Sequence, residues 1–517
     1  MSRSCRHRFI AVMSVLLVGL QLASAQSVTT IITHGYSLDS TKGAWIEGMA
    51  DAIVARAGSG AVCRYEQSTG AWRLVNGTLA IGQPVCLIFR WLEDFDKPGP
   101  NWAYGEAAAD ALYGALRDPD FIDALGAPLG AIELIKDRDL HFLGHSRGTV
   151  VNSETVERLG VACIQVDHVT SFDPHPMNGT LDVPINYDWG DPEPRRWSNV
   201  VFHDNYWRAD GGWFNAADPD GMPIADALNL EFSESTLNCC GYGNAHSDTH
   251  LWYHGTIDLT PLPCDGEQCI TQTMRDTWWT SGYTEVGYYH SQIGGGAAFR
   301  PAQSPGFTPG PVATIFGGSF DQASQAGWRF HGGFLNGAIV NESGITFLKL
   351  GSGPGTSATH NRFHLPFGAS AIELSYRILS PDTVGGDDQL AMSLIDTSGV
   401  VIALPGTIDL TQPDAGWQGG ATFTIPPQVE RDRKYRLQVM LQGGAQTDAI
   451  VGVDDLQVII EVCAGDVDGN TVVDVNDLLA LLALWGTDPG NPADTNSDGT
   501  VDVLDLLDLL AVWGACP

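Results

Sequence analysis

Basic side chains are scarce in this sequence. Its 517 residues carry 27 Lys and Arg against 61 Asp and Glu, a formal net charge of −34. A surface of that sign repels polyanions, so nucleic acid and anionic membrane faces are excluded as natural partners. Long apolar runs are also missing. Phe9 to Leu22 falls short of the roughly 20 residues that a membrane-spanning helix needs, and no later run approaches it, so no transmembrane segment is expected in the mature chain. The ten cysteines include no Cys-x-x-Cys, which argues against a cysteine zinc cluster or a dithiol redox site. Neither a glycine-rich phosphate loop nor a dinucleotide fingerprint is present.

What is present begins with an export pattern. Arg3, Arg6 and Arg8 precede the apolar run, and Ala23-Ser24-Ala25 closes it. A charged start, an apolar stretch and small residues at the exit predict a secretory signal over residues 1–25 and a secreted, extracellular mature chain. Removal of the three arginines takes the formal charge to −37. Export permits disulfides. Proximity or the bracketing of a module suggests Cys264/Cys269, Cys63/Cys86 and Cys463/Cys516, leaving Cys163, Cys239 and Cys240 unassigned.

Residues 26–299 alternate strand-like and helix-like segments. Val28 to His34, Val85 to Arg90, Leu140 to Leu143, Gln165 to Phe172 and Ser198 to His203 read as strands; Ala44 to Ala57, Tyr104 to Arg117 and Thr149 to Leu159 read as helices. That alternation predicts an α/β fold, a mostly parallel sheet with helices on both faces. Residues 300–312 contain four prolines and read as a linker. Over 313–462, short alternating stretches between Gly, Pro, Asp and Asn clusters predict an all-β sandwich or jelly roll. The last 55 residues, 463–517, hold ten Asp and no Lys or Arg, and contain an internal duplication.

The α/β region holds one Gly-x-Ser-x-Gly, Gly144-His145-Ser146-Arg147-Gly148, between an apolar strand and a helix. A strand that turns at once into a helix forces its central residue into a strained backbone and needs small neighbours, which glycine supplies. The hydroxyl is then exposed above a helix N-terminus, where developing negative charge is favoured. A serine needs a base, an orienting acid and oxyanion donors. Ile31-Ile-Thr-His-Gly-Tyr36 ends a strand in a turn that presents a backbone N–H, and Phe172-Asp173-Pro174 ends another with a carboxylate. Asn244 to Gly255 supplies His246, His250 and His254. The last three are spaced as metal ligands on a helix would be, but Ser247 stands where a zinc peptidase has its glutamate.

These features together resemble a lipase or esterase of the α/β-hydrolase superfamily, over residues 28–290, most of all its pancreatic and lipoprotein lipase branch. The resemblance implies Ser146 as nucleophile, His246 as base, Asp173 as orienting acid and the N–H groups of Tyr36 and Arg147 as oxyanion donors. Asp204, one strand later, is the alternative acid, and His250 the alternative base. The Trp-rich stretch 178–243 either covers the site or is scaffold.

In the tail, two twelve-residue segments start 28 residues apart, each leading into a leucine-rich helix that ends in Trp-Gly. Oxygen side chains stand at positions 1, 3, 5, 9 and 12: Asp466, Asp468, Asn470, Asp474 and Asp477, then Asp494, Asn496, Asp498, Asp502 and Asp505. A hard cation with many oxygen ligands requires such spacing, with a backbone carbonyl at position 7. The segments predict two calcium sites in a small α domain that is EF-hand-like and resembles a type I dockerin; a dockerin's implied partner is a cohesin-type scaffold. The sandwich is similar to jelly-roll modules appended to extracellular enzymes, with Trp328 and Trp417 as candidate sugar platforms. The expected function is a secreted serine hydrolase of carboxylic esters, on lipid or acylated polysaccharide. The rival is a non-catalytic protein of calcium-dependent surface attachment.

Overall fold

The computed structural model describes residues 27–36, 43–91, 104–179, 190–209, 220–237, 240–310, 312–315, 318–320, 327–331, 337–351, 356–366, 368–443, 447–460, 465–467, 472–486, 493–495 and 500–515. The expected signal, Cys239, Cys463, Cys516, Asp468, Asn470, Asn496 and Asp498 lie outside the described residues. The chain divides into two compact units, with the break between Val312 and Ala313. No helix among the described residues is long and apolar enough to cross a membrane.

The first unit is built on a nine-stranded sheet in the order β5-β3-β2-β4-β1-β6-β7-β8-β9. These strands are β1 (Val28–Thr33), β2 (Ala61–Glu66), β3 (Ala71–Gly77), β4 (Val85–Phe89), β5 (Phe121–Ile122), β6 (Asp139–His145), β7 (Val166–Phe172), β8 (Val200–Trp207) and β9 (Leu228–Glu231). All neighbours pair in parallel except β2 and β3. The helices that matter for the site are α1 (Ala44–Ala57), α2 (Tyr104–Arg117), α3 (Gly148–Val161) and α4 (Ala245–Ile257). The central strands β1 and β4 are buried along their length and β6 from Leu140 onward, as a sheet covered on both faces demands; β4 is wholly apolar, whereas β1 carries three threonines and β6 two histidines. On α1, Trp45, Met49 and Ile53 point into this core. Helix α4 is buried nearly all round, with little apolar periodicity to announce it.

Register decides where the site can form. Thr33 lies opposite Gly144, and His145 opposite Phe172. Strands β1, β6 and β7 therefore end together, so His34-Gly35, Ser146 and Asp173 all emerge at the carboxyl edge of the sheet, where parallel α/β sheets place their ligands.

Two expectations fail in this unit. Cys63 and Cys86 are free and buried rather than bridged. Cys86 pairs with Val62, so Cys63, one residue on, projects from the opposite face of the sheet. Residues 300–310 are not a free linker. Phe307 N–H donates to the Arg196 carbonyl at 2.8 Å, Gln303 bonds both Arg196 and His203, and Gly310 N–H reaches Glu157. The Cys264–Cys269 disulfide is formed, and Cys163 and Cys240 are each disulfide-bonded.

The second unit contains two antiparallel sheets packed on one apolar core that includes Leu348, Phe363, Ile372, Leu394 and Val453. It is an antiparallel β-sandwich. Trp328 does not offer a sugar platform: it is buried against Phe320 and His360. Trp417 is half-buried with its edge on Phe347. In the tail, α5 (Val475–Ala483) and α6 (Val503–Ala511) enclose a small core of Val473, Leu481, Ala493, Val501 and Leu509. Val472–Val473 pairs antiparallel with Gly514–Ala515 and joins the two repeats.

Candidate functional site

Ser146 occupies the corner between β6 and α3 with φ +55°, in the left-handed region that L-residues avoid. Its N–H donates to the Phe172 carbonyl at 2.9 Å, which ties the corner to β7. The flanking glycines are required by contact. A Cβ on Gly148 would lie 2.5 Å from the carbonyl oxygens of Thr33 and His34, and one on Gly144 would lie 2.8 Å from Asn152 Nδ2. Gly35 approaches the serine itself: a Cβ there would lie 2.5 Å from Ser146 Cβ and 3.0 Å from its Oγ.

Asp173 follows β7 with φ +45°, a second non-glycine residue held left-handed at the same edge. Such strain persists only where surroundings over-determine it, and it concentrates at functional sites. Its carboxylate is fully buried. Oδ1 accepts the Arg208 N–H at 2.9 Å, and Oδ2 accepts His246 Nδ1–H at 2.6 Å. Gly221 lies against it so closely that a Cβ would come 2.1 Å from Oδ1. His246 sits in the first turn of α4, whose N-cap Asn244 accepts the Ser247 N–H at 2.8 Å. The imidazole of His145, next to the serine, donates from Nε2 to the His246 carbonyl at 3.0 Å. Donation from Nδ1 to Asp173 leaves His246 Nε2 as a proton acceptor.

The alternatives are placed elsewhere. Asp204 lies within the sheet on β8, accepting from His168 Nε2 at 2.9 Å, Thr170 Oγ1 at 2.7 Å and Tyr206 OH at 2.9 Å. Burial raises its carboxyl above the usual range. His250 stacks on Trp45 with centroids 4.0 Å apart, and His254 is buried one turn further along. Desolvation holds the His250 imidazole well below its ordinary pKa. His246, His250 and His254 form no metal cluster among the described residues.

Tyr36 is partly exposed just past Gly35, and Arg147 begins α3. The guanidinium of Arg147 is buried, not at the surface. It forms a two-pronged ion pair with Asp191, Nε and Nη2 each 2.6 Å from a carboxylate oxygen, and lies over Trp91 at 5.5 Å. Asp191 also accepts the Met177 N–H at 3.0 Å, and Trp91 Nε1–H donates to the His34 carbonyl at 2.9 Å. Arg147 therefore ties together the segments after β1, β6 and β7. Sequence reasoning missed Asp191 and Trp91, since no local pattern marks either. The Trp-rich stretch is scaffold where Trp197 is concerned: its Nε1–H is bound to the Ser153 carbonyl at 2.9 Å. Trp189 and Trp213 lie outside the described residues. Burial lowers His34 to about 4 and holds His145 well below its ordinary value.

In the tail, Asp466, Asp477, Asp494 and Asp505 are buried although residues 463–517 contain no Lys or Arg. Asp477 accepts the N–H groups of Val467 and Asp474 at 2.7 and 2.8 Å; Asp505 repeats this with Thr495 and Asp502 at 2.7 and 2.8 Å. Asp474 and Asp502 cap their helices. An oxygen donor set that includes four buried carboxylates, in a segment whose sequence has no Lys or Arg, fits a hard divalent cation.

No protein-family model matches the chain, and no curated protein is significantly similar to it in sequence. Among solved structures, the carbohydrate-binding module TmCBM61, in complex with β-1,4-galactotriose, is 14% identical with a TM-score of 0.23, covering 29% of this chain and 100% of its own. A xylan-binding domain of Paenibacillus barcinonensis Xyn10C is 15% identical with a TM-score of 0.22, covering 28% of this chain and 90% of its own. A chain described as a proposed cell surface hydrolase of Lactobacillus plantarum is 13% identical with a TM-score of 0.25, covering 45% of this chain and 90% of its own. What the chain is built as rests on its own geometry: a mostly parallel α/β sheet in one unit and an antiparallel β-sandwich in the other.

Proposed function

We propose that the first unit is an α/β-hydrolase that cleaves carboxylic esters. The observation that carries this reading is the His246–Asp173 hydrogen bond of 2.6 Å at the sheet edge where Ser146 turns with φ +55°. In the proposed reaction His246 Nε2 takes the Ser146 Oγ proton as the oxygen attacks the ester carbonyl. The Tyr36 and Arg147 N–H groups face the oxyanion, and Asp173 holds the imidazole in its reactive tautomer. The proton then passes to the leaving alkoxide, and water, deprotonated by the same imidazole, hydrolyses the acyl-serine.

The tail is read as a calcium-ordered dockerin-like module that tethers the secreted enzyme to a cohesin-type scaffold. Asp466, Asp468, Asn470, Asp474 and Asp477 would hold one ion, and Asp494, Asn496, Asp498, Asp502 and Asp505 the other. Bound calcium would neutralise these carboxylates and order the loops. Leu479, Leu482 and Trp485 on the first repeat, and their equivalents Leu507, Leu510 and Trp513 on the second, are exposed, as a docking face requires. Acylated polysaccharide suits such a tether; lipid esters suit the lipase resemblance.

Chromogenic esters of increasing acyl length, run beside Ser146→Ala, test the catalytic reading. Hydrolysis by the native chain should fall by at least about a thousandfold in the variant. Absent activity, or activity equal in both, overturns it. Calcium titration of the full chain, with and without Asp466→Ala and Asp494→Ala, tests the tail.

A further inference from the structure

The sandwich has an acidic centre of its own. Between the strands Ala369–Ser380 and Gln389–Ile395, Asp382, Asp387 and Asp388 each bring a carboxylate oxygen within 4.8 Å of the others. Asp448 joins them from the approach to strand Ile450–Ile460, accepting the Thr383 N–H at 3.0 Å. Neither 381–389 nor 443–449 contains Lys or Arg.

Acidic loops are common, and this one has a further property. Asp388 is fully buried; its Oδ2 accepts the N–H groups of Asp448 and Ala449, both at 3.0 Å, while its Oδ1 has no hydrogen-bond partner. The neighbouring Thr447 hydroxyl is also buried without a partner. The two orphan oxygens flank one point, since a Cβ on Gly443 would lie 2.0 Å from Asp388 Oδ1 and 3.1 Å from Thr447 Oγ1. A buried carboxylate oxygen without a donor is unfavourable, and neighbouring carboxylates make it more so. Protein donors satisfy only half of what Asp388 offers.

We propose that Asp382, Asp387, Asp388 and Thr447 Oγ1 form a calcium site in the sandwich, distinct from the tail loops. A cation there would satisfy both orphan oxygens and neutralise the three carboxylates. Calcium suits the set because it accepts many oxygens in irregular geometry, whereas magnesium demands a near-octahedral cage. The ion would fasten the 382–388 loop to the lead into Ile450–Ile460, adding to the hydrogen bonds that the Asp388 and Asp448 carboxylates already make between them.

The test uses the full-length chain carrying Asp466→Ala and Asp494→Ala, titrated with CaCl2 by calorimetry and by thermal melting. One calcium should still bind, and Tm should rise by roughly 5 °C at a hundredfold excess over Kd. Adding Asp387→Ala, at an exposed position, should weaken binding by roughly tenfold or more while Tm in EDTA stays unchanged. In the otherwise native chain, Asp387→Ala should lower the calcium stoichiometry by one. A silent titration of the tail variant, or equal affinity and stoichiometry with and without Asp387→Ala, overturns the proposal.

Discussion

At the scale of single residues, two carboxylates separate by environment. Asp173 just follows β7 and Asp204 lies inside the adjacent β8, opposite Thr170, and both are fully buried. Asp173 has left the sheet and meets His246; Asp204 remains within it and meets His168. Asp173→Asn should lower kcat about ten-thousandfold by favouring the wrong imidazole tautomer, with the fold retained. Asp204→Asn should instead lower Tm and leave kcat within a few-fold, because it disturbs a buried hydrogen-bond network remote from the serine. Ester kinetics and melting curves on the two variants make the comparison; a larger kcat loss for Asp204→Asn would reverse the assignment.

At the scale of elements, the site depends on how tightly strand ends and loops are held. Gly221 leaves no room for a methyl beside Asp173 Oδ1. Gly221→Ala should therefore displace that carboxylate and reduce kcat far more than KM, although residue 221 touches no substrate in the proposed reaction. The Arg147–Asp191 pair is a second such device. Removing one partner of a buried ion pair costs about 3–5 kcal/mol, so Asp191→Ala should give a marked drop in the denaturation midpoint. It should also free the Met177 segment that follows Asp173. A variant as stable and as active as the native chain would show that the clamp does nothing.

At the scale of the whole molecule, stability in the α/β unit is pulled in opposite directions by pH. His34 is held at about 4, below its unfolded value of 6.5, mainly by burial. The unfolded chain then binds more protons than the folded one, so this contribution is present above pH 6.5 and is lost as pH falls towards 4. Glu106, on α2, is pushed up to about 9 from 4.5, first by burial and then by Glu154, and its Oε2 has no hydrogen-bond partner. Here the folded chain binds the extra proton, so stability is lost as pH rises from 4.5 through 9. Glu106→Gln has no proton to lose. It should raise Tm at pH 8 relative to the native chain and change it little at pH 4.5, as differential scanning calorimetry at the two pH values would show. An equal effect at both pH values would contradict the assignment.

Much of this molecule was legible from local pattern. The strand ranges around Val28, Val85, Leu140 and Val166, and the helices from Ala44, Tyr104 and Gly148, follow from short-range periodicity and small-residue requirements that act within a few residues. The Gly-His-Ser-Arg-Gly corner is local for the same reason, because a left-handed serine needs its glycines beside it. The spacing of the two aspartate-rich repeats was likewise written in the chain. Tertiary structure alone decided the rest. Sheet register placed Asp173, rather than Asp204, against His246, and set Cys63 and Cys86 on opposite faces. Packing buried Trp328, fixed residues 300–310 to the sheet unit and brought Asp191 to Arg147 across 44 positions. The physical reason is common to these cases: a side chain's partner depends on strand order and on which face it leaves, and neither is a property of the residues next to it.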